Sequence, residues 1–125
     1  MDLIRNKLSS KIAIPILNGF EILNIHEIIR CEADGNYSKI ICPESNDPKQ
    51  TVIHIVSRNL KEICENLKKK GFLRIHHSHL INPIYIKKVL KTDGGIIEMM
   101  DGAKIRITQN RESVLHEIFD YVPKI

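Results

Sequence analysis

Gly71-Phe72-Leu73-Arg74-Ile75-His76-His77-Ser78-His79-Leu80-Ile81-Asn82-Pro83-Ile84-Tyr85-Ile86 is the stretch on which the reading of this chain turns. An apolar piece, Phe72 to Ile75, leads into His76-His77-Ser78-His79 and then into Leu80-Ile81-Asn82-Pro83. Three neighbouring imidazoles are of a kind that binds zinc, copper or nickel. In a strand, however, His77 and His79 share one face while His76 points to the other. No carboxylate or thiol stands close by in sequence, so the histidines read as His76 packed inward and the others exposed, with no metal.

Immediately upstream the period is helical. Leu60, Ile63, Cys64 and Leu67 recur at i, i+3, i+4 and i+7, one apolar stripe on a helix. Ser57 is the expected N-cap. Lys68 to Lys70 suit the negative end of the helix dipole as a solvated helix end, and Gly71 is the expected stop.

Further upstream the signals are β. Lys11 to Leu17 contains Pro15, which confines it to an edge or a bend. Asn18-Gly19 marks a hairpin turn, with Phe20 to Leu23 returning. His26 to Ala33 and Tyr37 to Pro43 flank Asp34-Gly35-Asn36, a second hairpin. Glu44 to Gln50 reads as a polar loop and Thr51 to Val56 as a β-branched strand. Downstream, Ile86 to Thr92 is a short mixed strand, and Asp93-Gly94-Gly95 and Asp101-Gly102 are turns around Ile96 to Met100. Ala103 to Ile107 follows as a strand. Thr108 is the expected cap of a last helix with the stripe Val114, Leu115, Ile118 and Phe119. The chain is therefore expected to be mainly β, with short strands and one or two short helices. Strands and helices do not alternate, which argues against a doubly wound parallel sheet.

The chain has 125 residues, enough for one domain and too few for two. Residues 1–10 read as a leader or linker, 11–121 as the domain and 122–125 as a tail. Cys31, Cys42 and Cys64 lack CxxC spacing, so they are expected as reduced, mostly buried thiols. There is no secretory h-region and no run long enough to span a membrane, so a cytoplasmic location is expected. GxGxxG, P-loop, GxSxG and HExxH motifs are absent and carboxylates are scattered, so the chain does not read as an enzyme and no cofactor is called for. The net charge is +4, but it is unevenly spread. Between Ser57 and Lys91 nine Lys and Arg face only Glu62 and Glu65. Such polarity suits a polyanionic partner; a non-enzymatic protein-interaction module with a basic face is the alternative. Aromatic residues are few and mostly read as core, which favours duplex over single-stranded nucleic acid.

Phe72, Arg74, His76, Ser78, Ile81, Asn82 and Ile86 resemble, in register, the F-x-R-x-H-[RK]-S-x-x-[VI]-N signature of the LytTR DNA-binding domain family. Ile28 to Tyr37 is similar to that family's opening hairpin, Ser57 to Leu60 to its helix start, and Asp101-Gly102 onward to its C-terminal end. The likeness covers about residues 11–121. It implies an elongated arrangement of short β-sheets with small helices, and sequence-specific binding of duplex DNA by a bacterial transcription regulator. Such a regulator inserts loops into successive major grooves, on paired half-sites, with a homodimer on DNA. A receiver domain or a sensor kinase joins the partners if the chain is part of a longer two-component response regulator.

The contacts implied by the resemblance fall in three places. They are Asn36, Tyr37, Ser38 and Lys39; His77, Ser78 and His79; and Gln109, Asn110 and Arg111. Lys39 and Arg111 can neutralise phosphates, and Ser38 and Ser78 can hold phosphate oxygens. Gln109 and Asn110 match the adenine edge, and His77 can donate to guanine or phosphate. Asn36 serves its turn or the DNA, and Tyr37 is core or contact. Arg74, Asn82 and His76 read as holding the loop by hydrogen bonds, while Lys61, Lys87 and Lys88 add nonspecific attraction. His77 stands where the family often has Arg or Lys, and Thr108-Gln109-Asn110 where it often has Ser-Arg-Arg; both changes fit a different preferred DNA sequence.

Overall fold

Ten strands in three antiparallel sheets build the chain, as a computed structural model describing residues 2–125 shows. β1 (Lys11–Ile16) and β2 (Gly19–Asn24) form a two-stranded ribbon. A ribbon has only edges, so Pro15 breaks no central ladder. β3 (Arg30–Asp34), β4 (Tyr37–Glu44), β5 (Asp47–Val56), β6 (Leu73–His76) and β7 (His79–Ile81) form a sheet of order β5-β4-β3-β7-β6. β8 (Ile86–Leu90), β9 (Ile96–Met99) and β10 (Lys104–Arg106) form the third sheet, with β9 central. Among the described residues there are three α-helices: α1 (Leu3–Leu8), α2 (Leu60–Leu67) and α3 (Arg111–Tyr121). None is long and apolar enough to cross a membrane.

The five-stranded sheet is covered on both faces, and the period-two alternation of its strands decides which residue goes where. Cys31, Ile40 and Leu80 point to one face, where Leu60, Ile63 and Leu67 of α2 and Ile14 of β1 pack. Ile41, Ile75 and Ile81 point to the other, against Ile97, Met99 and Ile105 of the third sheet and Val114 and Ile118 of α3. Asn82 is buried between these layers. Its amide donates to Ile28 O (3.0 Å) and its Oδ1 accepts from Ile84 N (3.3 Å).

Several expectations change in detail. Of residues 1–10, read as a leader or linker, Met1 lies outside the described residues. Leu3–Leu8 form a helix capped by Asp2, which buries none of its residues. The first hairpin turns at Leu17-Asn18, because Ile16 pairs with Gly19. Glu44 to Gln50 is not a loop. Ser45 and Asn46 both take positive φ (50° and 68°), as a type I′ turn requires, and β5 starts at once at Asp47. Its polar residues mark an exposed hairpin end, and Pro48 is tolerated because β5 is an edge strand. The cap of α2 is Asn59, not Ser57: Asn59 Oδ1 accepts from Glu62 N at 2.9 Å. The cap position of α3 is Asn110, not Thr108, with φ 50° and no side-chain cap bond. Aromatic residues are less buried than expected: Phe20, Tyr37 and Tyr121 are exposed. The histidine segment is a hairpin with its turn at His77-Ser78, so His76 faces His79 across it, and His77 and His79 do not share a strand face.

Candidate nucleic-acid interface

Strand register brings separate connections to one end of the five-stranded sheet. β3 and β4 meet at the Gly35-Asn36 turn, with Asp34 opposite Tyr37. Only Gly35 of the two takes positive φ (61°), as the first position of a type II′ turn demands. β7 runs antiparallel to β3 with His79 opposite Glu32, so the His77-Ser78 turn lies at the same end. Ala33 N donates to Ser78 O across the two turns (2.9 Å). The segment between β10 and α3 docks here as well, since Thr108 N (2.9 Å) and Gln109 N (3.2 Å) both donate to Ile75 O. Val56 opposite Ser38 brings Ser57 to Asn59 and the start of α2 to this end too.

The ten residues singled out are not equivalent. Asn36, Tyr37, His77, Asn110 and Arg111 are exposed, whereas Lys39, Ser78, His79 and Gln109 are half-buried. Ser38 has no exposed surface and is removed from the direct contacts. It shares the face of Ile40, beneath the start of α2, and its hydroxyl donates to Arg58 O at 2.8 Å. Its role is to hold the β5–α2 connection in place. Ser78 N–H donates to His76 Nδ1 (3.0 Å), and the Arg74 guanidinium donates to the carbonyls of His76 (3.1 Å) and His77. Backbone bonds of this kind hold the exposed His77 without using its ring.

Lys39, Glu32 and His79 form one row across β4, β3 and β7. The Glu32 carboxylate lies 4.0 Å from Lys39 Nζ, 3.8 Å from His79 Nδ1 and 3.5 Å from Arg30 Nη1. The His79 ring stacks edge-on against His76, centroids 5.1 Å apart, and its Nδ1 is buried without a hydrogen bond. Burial holds the His79 pKa below the ordinary histidine value, against the pull of Glu32. The ring is therefore a neutral packing element of the row. At the other side, a Cβ on Gly95 would stand 3.3 Å from Ile107 Cδ1 and 3.6 Å from Arg111 Nε. Gly95 thus lets Arg111 lie against the β8–β9 connection.

The sequence reading missed Arg58, which is exposed at this same end. A signal existed: Asn59-Leu60-Lys61-Glu62 has cap and N3 residues at helix-start spacing, which leaves Arg58 outside the helix. The end thus offers Lys39, Arg58 and Arg111 as cations and Asn36, His77, Gln109 and Asn110 as hydrogen-bonding groups. That mixture can neutralise phosphates and read base edges. Two of the three thiols are poorly placed for chemistry: burial pushes Cys42 up to about 11 and Cys31 higher still. Among the described residues no three His, Cys, Asp or Glu side chains cluster as a metal site would need.

The profile of the LytTr DNA-binding domain family matches residues 18–120. Two heme-containing CO-sensing transcriptional regulators of Paraburkholderia xenovorans are similar. RcoM 1 is 24% identical over 115 residues, 90% of this chain and 40% of its own. RcoM 2 is 22% identical over 104 residues, 81% of this chain and 36% of its own. The chain thus spans about two fifths of the length of these curated relatives. Among solved structures, the LytTr DNA-binding domain of a methyl-accepting/DNA response regulator from Bacillus cereus shares the fold. Its TM-score is 0.63 at 18% identity, covering 90% of this chain and 98% of that one.

Proposed function

Because this chain belongs to the LytTR DNA-binding domain family, we propose that it is the sequence-reading module of a bacterial transcription regulator. It acts in the cytoplasm, on paired half-sites of duplex DNA, as a pair of copies. Asn36 and Tyr37, His77 with Ser78, backed by the packed His79 ring, and Gln109 with Asn110 enter successive major grooves, while Lys39, Arg58 and Arg111 anchor the phosphates. A receiver domain elsewhere in a longer regulator, answering a sensor kinase, is the natural source of control. The observation that supports this reading is the double use of the β6–β7 hairpin. Ile75 O accepts from Thr108 and Gln109, and Ser78 O accepts from Ala33. Three connections distant in sequence are thereby tied into one rigid edge, and preorganised groups lose less entropy on binding.

The test is selection of bound duplexes from a random pool, followed by titration of the winner against nonspecific duplex at rising salt. A consensus with two spaced half-sites, and an affinity falling linearly in log salt, is expected. Enrichment of no sequence, with binding to an acidic protein retained, would replace this reading with that of a basic protein-interaction module.

A further inference from the structure

A groove of about 1320 Å³ runs beside α3, walled by Lys68–Arg74 on one side and Asn82–Val89 on the other. Its floor is apolar: Leu73, Ile86, Val89 and Phe119 are half-buried there. At its margin Ile84 and Tyr121 are exposed, the latter to 87%. Its rim is cationic. Lys68, Lys69, Lys70, Arg74, Lys87 and Lys88 line it, against Glu117 and Asp120. Among the described residues only Lys87 of these six has a carboxylate within 4 Å, Glu98 at 3.8 Å. Lys124 adds a further cation, 4.8 Å above the Phe119 ring.

We propose that this groove is a docking site for an acidic amphipathic helix of a partner protein. Lys68, Lys69 and Lys88, which have no carboxylate within 4 Å among the described residues, stand over an apolar floor and match a helix with a Leu-type stripe on one face and Glu or Asp on the others. The space is of the right size. A helix is about 10 Å across and rises about 5.4 Å per turn, so the groove holds about two to three turns. Duplex DNA fits less well, because it has no apolar face to bury on Leu73, Val89 and Phe119. The lysine cluster also sits at the C-terminal end of α2, and the reading edge gathers at its N-terminal start. The groove is thus centred away from the reading edge and meets it at Arg74 and Asn110.

The test uses the full chain and a synthetic peptide helix with Leu at i, i+3, i+4 and i+7 and Glu elsewhere. Fluorescence anisotropy should give saturable binding, and NMR should shift the methyl signals of Leu73, Ile86 and Val89. Lys69→Glu with Lys88→Glu should weaken binding about tenfold, since both side chains are exposed rim charges facing a polyanion. A Leu peptide with Lys in place of Glu should not bind, and saturating duplex should leave the acidic peptide bound. Equal binding of a scrambled acidic peptide would show bare charge attraction and overturn the proposal. Displacement of the peptide by duplex would overturn it too, making the groove part of the DNA surface. Failure of DNA selection alone would leave this result standing.

Discussion

Arg30 Nε donates to Asp101 Oδ2 at 2.8 Å, and this pair ties the five-stranded sheet to the β9–β10 turn of the third sheet. The side chains are only 13% and 4% exposed. Removing one partner of such a pair strands a buried charge. Asp101 Oδ1 also accepts from Ala103 N (3.3 Å), so the turn depends on it as well. Asp101→Ala is expected to cost about 3–5 kcal/mol, read from urea unfolding. The low end is expected, since Glu32 stays 3.5 Å from Arg30 and takes up part of its charge. A loss within the ~0–1 kcal/mol of exposed pairs would show that the two sheets are oriented by packing alone.

Reading and anchoring residues should separate by their salt behaviour. Gln109→Ala is expected to cost about 1–3 kcal/mol on the preferred duplex and to relax the choice of base at one position. At Asn110 the control is Asn110→Gly, because the backbone there has φ 50° and glycine adopts it freely. Lys39→Ala should weaken all sequences alike and lower the salt slope by about 1. Mobility shifts at several salt concentrations, on the preferred and a nonspecific duplex, decide it. If both kinds of variant lose affinity uniformly across sequences, the division between them is wrong.

Much of this was legible from local chemistry. The α2 stripe, the Gly35 turn and the register of the signature from Phe72 to Ile86 follow from period, turn residues and motif. What escaped were decisions made by partners far away in sequence. Glu44 to Gln50 is polar because a hairpin end meets solvent, and nothing local distinguishes that from a loop. Asn59 and Ser57 are both good caps; the choice depends on how far β5 pairs with β4. The family resemblance puts Ser38 among the contacts, and a hydroxyl can hold a phosphate oxygen. A strand alternates faces, however, and only the position of α2 determines which face is sealed.

Ser38→Ala follows from that correction. It removes a buried hydroxyl and leaves Arg58 O without its donor. A cost of about 1 kcal/mol in stability is expected, the usual net worth of such a bond. The salt slope should stay as in the parent chain, since no phosphate contact is lost. A slope lowered as in Lys39→Ala, with stability unchanged, would return Ser38 to the phosphate-binding set.

His79 predicts a pH dependence with a definite sign. Burial is the largest cause of its lowered pKa, with His76 and Arg30 acting the same way and Glu32 opposing. Lys39 stands beyond Glu32 in the same row. The folded chain therefore gives up the His79 proton at a pH where the unfolded chain, near 6.5, still holds it. Where the unfolded state binds more protons, stability rises with pH. The contribution is complete above the unfolded value and is lost as pH falls through it to the folded pKa. His79→Gln keeps a polar side chain and abolishes the titration. Urea midpoints at about pH 7.5 and about pH 5.5 should differ less in His79→Gln than in the parent chain. An unchanged difference would mean that His79 protonates as readily in the fold as out of it, and its buried Nδ1 would then have a partner in solution.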